Sequence, residues 1–182
     1  MMFNTTLLNA KTILALTLLL PSLALAGCSG EEDHNHDDEE HAEDPAEEAC
    51  LHIQQGPASS TTAAATREET LPSVSAPHTR HDITLVTGDA FGEARGGFVR
   101  YEASESGDFT FYLGGAVELE VSQGDTVIAP ESMASTVSAC EEVKATYTLE
   151  LQGGSSYTLK LGPTEESAVG LVIEHAGEAH EH

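Results

Sequence analysis

Between Ile83 and Ile173 the chain alternates apolar and polar residues with a period of two, and glycine or proline interrupts the alternation at short intervals. Ile83 and Leu85 alternate ahead of Gly88-Asp89, and Phe98-Val99-Arg100-Tyr101 follows Gly96-Gly97, which reads as a break. Phe109, Phe111 and Leu113 lie between Gly107-Asp108 and Gly114-Gly115, and Val117, Leu119 and Val121 precede Gln123-Gly124-Asp125. Thr126-Val127-Ile128 is a short run before Pro130. The longest run carries Val143, Ala145, Tyr147, Leu149 and Leu151; Gly153-Gly154-Ser155-Ser156 reads as a hairpin turn into Tyr157, Leu159 and Leu161, and Val169, Leu171 and Ile173 follow. Period two places successive side chains on opposite faces of a strand, and no window of about a dozen residues sustains a helical period. The expectation for residues 71–175 is all-β: an antiparallel β-sandwich of about seven to nine strands.

The chain begins differently. Lys11 is the only charge in the first 27 residues; an apolar run, Thr12 to Leu20, follows, then Pro21-Ser22-Leu23-Ala24-Leu25-Ala26-Gly27-Cys28. A positive start, a short apolar stretch and small residues before a cut describe an export signal over 1–27. A transmembrane helix needs about 20 apolar residues and flanking positive charge, and Pro21 interrupts this run. Leu25-Ala26-Gly27-Cys28 resembles the bacterial lipobox. That resemblance implies lipidation of Cys28 and attachment to a membrane through the lipid anchor, and Ser29 favours the outer membrane over the inner. Two or more acyl chains give a stable hold, one a weak hold.

Composition narrows the function classes. Of 182 residues, 31 are acidic and seven basic, and one of those bases, Lys11, falls within the signal. A chain so acidic repels phosphate backbones, so no nucleic acid is expected as a partner. No Gly-x-Ser-x-Gly elbow, His-Glu-x-x-His, phosphate loop or dinucleotide fingerprint is present, and a non-enzymatic role is expected. Residues 28–49 form an acidic stretch without a large apolar side chain and read as a disordered tether. Residues 50–70 are a loop-rich lead-in: Ala46 to Gln55 suggests one helical turn or an edge strand, and Pro57 to Thr70 a loop. Residues 176–182 form a flexible His/Glu tail.

With Cys28 lipidated, Cys50 and Cys140 remain. An oxidising compartment favours a disulfide between them; the alternative is a pair of thiolate ligands beside His52, which lies two residues from Cys50. The stretch Gly107 to Ile173 resembles the pre-peptidase C-terminal domain and related jelly-roll modules of secreted bacterial proteins. Phe109-Thr110-Phe111-Tyr112-Leu113 matches their early apolar strand, Val117 to Ile128 their β-ribbon, and Tyr147–Leu151 with Gly154–Leu159 their closing hairpin. The resemblance implies a jelly-roll-like sandwich.

Nine histidines carry the sharpest functional signal. His34, His36 and His41 lie in the acidic stretch; His175, His180 and His182 lie at the C-terminus. Imidazoles flanked by carboxylates suit zinc, copper or nickel, and both tracts resemble the His- and acid-rich loops of periplasmic zinc-uptake proteins. His52, His78 and His81 lie nearer the fold, and either of the latter two joins His175 only if the fold brings those ends together. The expected function is a cell-envelope lipoprotein that binds or buffers transition-metal ions on a β-sandwich scaffold. The alternative is a non-metal structural or protein-interaction lipoprotein whose sandwich docks another envelope component, such as an envelope protein.

Overall fold

Eleven strands build two facing sheets in the computed structural model, which describes residues 45–138 and 140–176. The first sheet runs β1 (Ala58–Thr62), β2 (Arg80–Thr84), β11 (Ala168–His175), β5 (Gly107–Leu113), β9 (Ala145–Leu151) and β8 (Ser132–Ala134). The second runs β3 (Val86–Thr87), β4 (Arg95–Glu102), β10 (Ser156–Thr164), β6 (Leu119–Gln123) and β7 (Thr126–Ile128). Every pairing is antiparallel except β1 with β2. The alternating apolar residues face inward: Phe111, Leu113, Leu149 and Leu171 from the first sheet meet Val99, Val121, Leu159 and Leu161 from the second, all buried. Burying one such side chain is worth about 1.5–3 kcal/mol, which is why the alternation sets the strand faces. The expected all-β sandwich is the fold.

Three strands lie outside the alternating runs. The first strand, β1, has the sequence Ala-Ser-Ser-Thr-Thr and carries no apolar side chain beyond its alanine; its residues are mostly exposed. It is an edge strand held by parallel backbone pairing to β2, where the sequence suggests a loop. Exposed β8 likewise pairs with β9 through its backbone, and two-residue β3 pairs with β4. Backbone pairing at a sheet edge needs no hydrophobic period, so none was there to read.

Two glycine pairs also differ from expectation. Gly153-Gly154 does not close a hairpin: β9 pairs with β5 and β8, whereas β10 pairs with β4 and β6, so the chain crosses between sheets there. The corner is fastened to the β4–β5 connection: the Gly153 amide donates to Ser106 Oγ at 2.8 Å and the Gly154 amide to the Ala103 carbonyl at 2.8 Å. Gly96-Gly97 lies within β4 and is not a break. A Cβ on Gly97 would sit 2.2 Å from that of Ala63, and one on Gly96 2.3 Å from Phe91, so glycine here permits close approach of a neighbouring segment.

Before β1 the chain forms α1, Pro45–Gln55, three turns in place of the single turn or edge strand expected. Proline suits the first helical position, and Glu47 and Glu48 complement the positive end of the helix dipole. Gly56, at φ 78°, ends it by donating its amide to the His52 carbonyl at 2.9 Å. Ala46, Ala49, Cys50 and Ile53 pack on Tyr112 and Val172, outward-facing apolar residues of the first sheet, and on Val143 in the connection before β9. Arg80 pins the far end: Nη1 donates to the Ile53 carbonyl at 2.7 Å, while Nε and Nη2 donate to the Asp82 carboxylate at 2.9 and 3.1 Å. Cys50 and Cys140 form a disulfide with a Cα separation of 5.6 Å, so their sulfurs are not thiolate ligands. Among the described residues, no helix is long and apolar enough to cross a membrane.

Candidate metal centre

Glu48 and His52 are four residues apart on α1, which stacks their side chains on one flank of the helix. That flank faces the turn before β2. Residues 72–79 reach this turn by running beside β4, with Val74 donating to the Arg100 carbonyl and burying its side chain completely, before passing to the first sheet. His78 sits at the crossing with φ 47°, a left-handed conformation that a non-glycine residue holds only at some expense. Such backbone strain collects where a side chain must be aimed.

The aim is toward carboxylates. His78 Nδ1 lies 3.4 Å from Glu48 Oε1 and 3.3 Å from Oε2 of Glu174, which β11 presents on its outer face and which is 4 % exposed. His52 Nε2 lies 3.5 Å from Glu48 Oε1, and the two imidazole rings are 5.6 Å apart. One ligand atom each from Glu48, His52 and His78 falls within 4.8 Å of the other two. The remaining nitrogen of His52, Nδ1, is 3.3 Å from the Gly56 carbonyl. With the proton on Nδ1 donated to that carbonyl, the Nε2 lone pair is directed at the cluster, the arrangement in which a backbone carbonyl orients a metal-ligating histidine.

Spacing and charge both suit a metal ion. Ligands about 2.0–2.2 Å from a tetrahedral ion stand about 3.3–3.6 Å from one another. Glu48 Oε1 stands 3.5 Å from His52 Nε2 and 3.4 Å from His78 Nδ1, and Glu174 Oε2 stands 3.3 Å from His78 Nδ1, all within that range. Two neutral imidazoles with two carboxylates neutralise a divalent charge, and a nitrogen–oxygen donor set fits zinc, copper or nickel. His78 is the most open of the set, its side chain 33 % exposed against 13 % for His52 and 16 % for Glu48. It borders a cleft of about 240 Å³ that Glu174 and His175 also line.

The histidines nominated from sequence fall apart accordingly. His34, His36, His41, His180 and His182, with Cys28, lie outside the described residues. His175 ends β11 one residue beyond Glu174; alternation turns it to the inner face, against Phe109 at a ring distance of 4.7 Å, so it does not join the Glu48–His52–His78 cluster. His81 is 3 % exposed on the inner side of β2, with Nε2 3.2 Å from the Ala76 carbonyl. Burial lowers its pKa below the ordinary imidazole value, against the opposing pull of that hydrogen bond and of Asp82. Sequence reasoning missed Glu48 and Glu174 and ranked His52 and His78 low. The Glu48/His52 spacing carries a signal once Gly56-Pro57 is read as a helix stop. His78 and Glu174 carry none, since strand pairing alone brings them together.

No protein-family model matches the chain, and no curated protein resembles it closely enough to be matched.

Proposed function

We propose that the chain is a cell-envelope lipoprotein, anchored through Cys28 and favouring the outer membrane, that binds transition-metal ions. The observation that carries this reading is the convergence of Glu48, His52 and His78 within 4.8 Å of one another, with Glu48 at ligand spacing from both histidines and Glu174 beside His78. The centre spans a helix and a sheet that the disulfide and Arg80 hold together, so its ligands are ordered before the ion arrives. Preordered ligands avoid the entropy loss that a flexible tract incurs on binding. In this reading the histidine tracts at the two ends gather ions at low affinity and the centre holds one at higher affinity.

Calorimetric titration with zinc tests it, using the full chain, a form with His34, His36, His41, His180 and His182 replaced by asparagine, and that form with His52→Gln and His78→Gln added. The tract-substituted chain keeps one tight site, and the last form loses it. Loss of the tight site along with the tracts, or its survival after loss of His52 and His78, overturns the ordered centre. A second reading, the interaction lipoprotein, rests on exposed Val127 and Met133 beside a groove between β7 and β8. It predicts no zinc binding by any of the three forms.

A further inference from the structure

The cleft beside the first centre is lined by Glu102, Glu105 and Glu174, and no Lys or Arg lines it, so it selects for cations. His175 forms part of its wall. Both ring nitrogens of His175 are buried and neither takes a hydrogen bond from the protein, although Nδ1 lies 3.7 Å from Glu105 Oε1. A neutral imidazole offers one donor and one acceptor, and leaving buried polar atoms unsatisfied is unfavourable unless a ligand engages them. The backbone is also shaped round this ring. Gly107 has φ 150°, and a Cβ there would lie 2.5 Å from His175 Nε2. Any other residue at 107 would push into the space the imidazole fills, so Nε2 is walled in and Nδ1 is the nitrogen turned toward a carboxylate.

We propose that His175 and Glu105 hold a second divalent transition-metal ion in this cleft, through Nδ1 and Oε1. A nitrogen donor beside a carboxylate favours zinc, nickel or copper over magnesium or calcium, which prefer oxygen alone. The present separation exceeds the roughly 3.3–3.6 Å of two tetrahedral ligands by only a few tenths of an ångström. Glu105 is half exposed on the β4–β5 connection and has the freedom to close it. With two protein ligands and the remaining positions open to water, this position binds more weakly than the first centre. It also gives the chain two neighbouring ordered stations, since His78, Glu174 and His175 all line the same cleft.

The test uses the full chain with the five tract histidines replaced by asparagine, ¹⁵N-labelled at histidine and titrated with zinc. The imidazole resonances of His175 are followed by NMR, and bound zinc is counted by native mass spectrometry. The expected result is two zinc ions per chain, with the His175 Nδ1 resonance moving to a metal-bound shift at higher zinc than those of His52 and His78. Adding His175→Gln or Glu105→Gln removes the second ion and leaves the first. Adding His52→Gln and His78→Gln instead removes the first and leaves the second. A His175 signal that never moves, or a second ion that survives both His175→Gln and Glu105→Gln, overturns the proposal. Failure of the first centre is a separate result: the His52 and His78 resonances stay still whatever His175 does. The NMR titration retains native His175 and Glu105, so a variant that fails to fold leaves the test intact.

Discussion

Replacing both Cys50 and Cys140 by alanine should destabilise the fold by about 4–5 kcal/mol, and the figure follows from where the cross-link sits. The bridge joins residues 90 apart, tying α1 to the connection that precedes β9. Restricting the unfolded chain over such a loop lowers its entropy by about 15 cal/mol/K in the loop-closure model, or about 4–5 kcal/mol at 25 °C. For roughly 130 folded residues the unfolding entropy near the midpoint is about 0.27 kcal/mol/K, so the midpoint falls by about 15 °C. Both sulfurs are buried, and alanine adds a small packing loss in the same direction. Thermal melts followed by circular dichroism measure it, with the native chain melted in a non-thiol reductant as the control that keeps the side chains. A drop below about 4 °C in both would refute the reasoning, since it would mean that the bridge constrains the unfolded chain very little. The variant should bind zinc at least tenfold more weakly. Glu48 and His52 sit two residues either side of Cys50, and a helix docked only part of the time weakens apparent affinity in proportion.

Other expectations follow from single features. His81 gains a proton less readily folded than unfolded, so its contribution is complete above the unfolded value of about 6.5 and is lost as pH falls from there to the depressed folded value. Melts of His81→Gln from about pH 7.5 to 5 should show a shallower loss of stability than the native chain, and parallel curves would contradict the assignment. Zinc at a hundredfold excess over its dissociation constant should stabilise the tract-substituted chain by about 2.7 kcal/mol, a midpoint rise of about 10 °C that EDTA reverses and that His52→Gln with His78→Gln abolishes. Gly97→Val should destabilise by about 1–3 kcal/mol, because its Cβ would enter the space Ala63 occupies; denaturant melts that coincide with the native chain would show that β4 and the segment following β1 can separate at no expense.

The sandwich was legible wherever burial dictated a period. Phe109, Phe111 and Leu113, or Leu149 and Leu151, had to point inward, and their alternation says so. What the pattern could not carry was pairing. Tyr147–Leu151 and Tyr157–Leu161 look like two arms of a hairpin, because alternation is the same whether the next strand returns beside the first or crosses to the opposite sheet. Strands with little to bury, β1 and β8, left no mark at all. The helix was under-read because its apolar face is small residues, Ala46, Ala49 and Cys50, with only Ile53 large. The metal centre was illegible for a related reason: Glu48 and Glu174 are two of 31 acids, and only the docking of α1 beside the end of β11 sets them apart. The histidines that clustered in sequence drew attention away from those that cluster in space.

The central claim is where the ion sits, and anomalous diffraction from crystals of the zinc-loaded chain measures that directly. Data collected on both sides of the zinc absorption edge should give the strongest difference peak among Glu48, His52 and His78, about 2.0–2.2 Å from Glu48 Oε1, His52 Nε2 and His78 Nδ1. Glu174 should be close enough to complete the set. Zinc-loaded crystals with no peak at that position, and with peaks only at scattered surface carboxylates, would contradict the account.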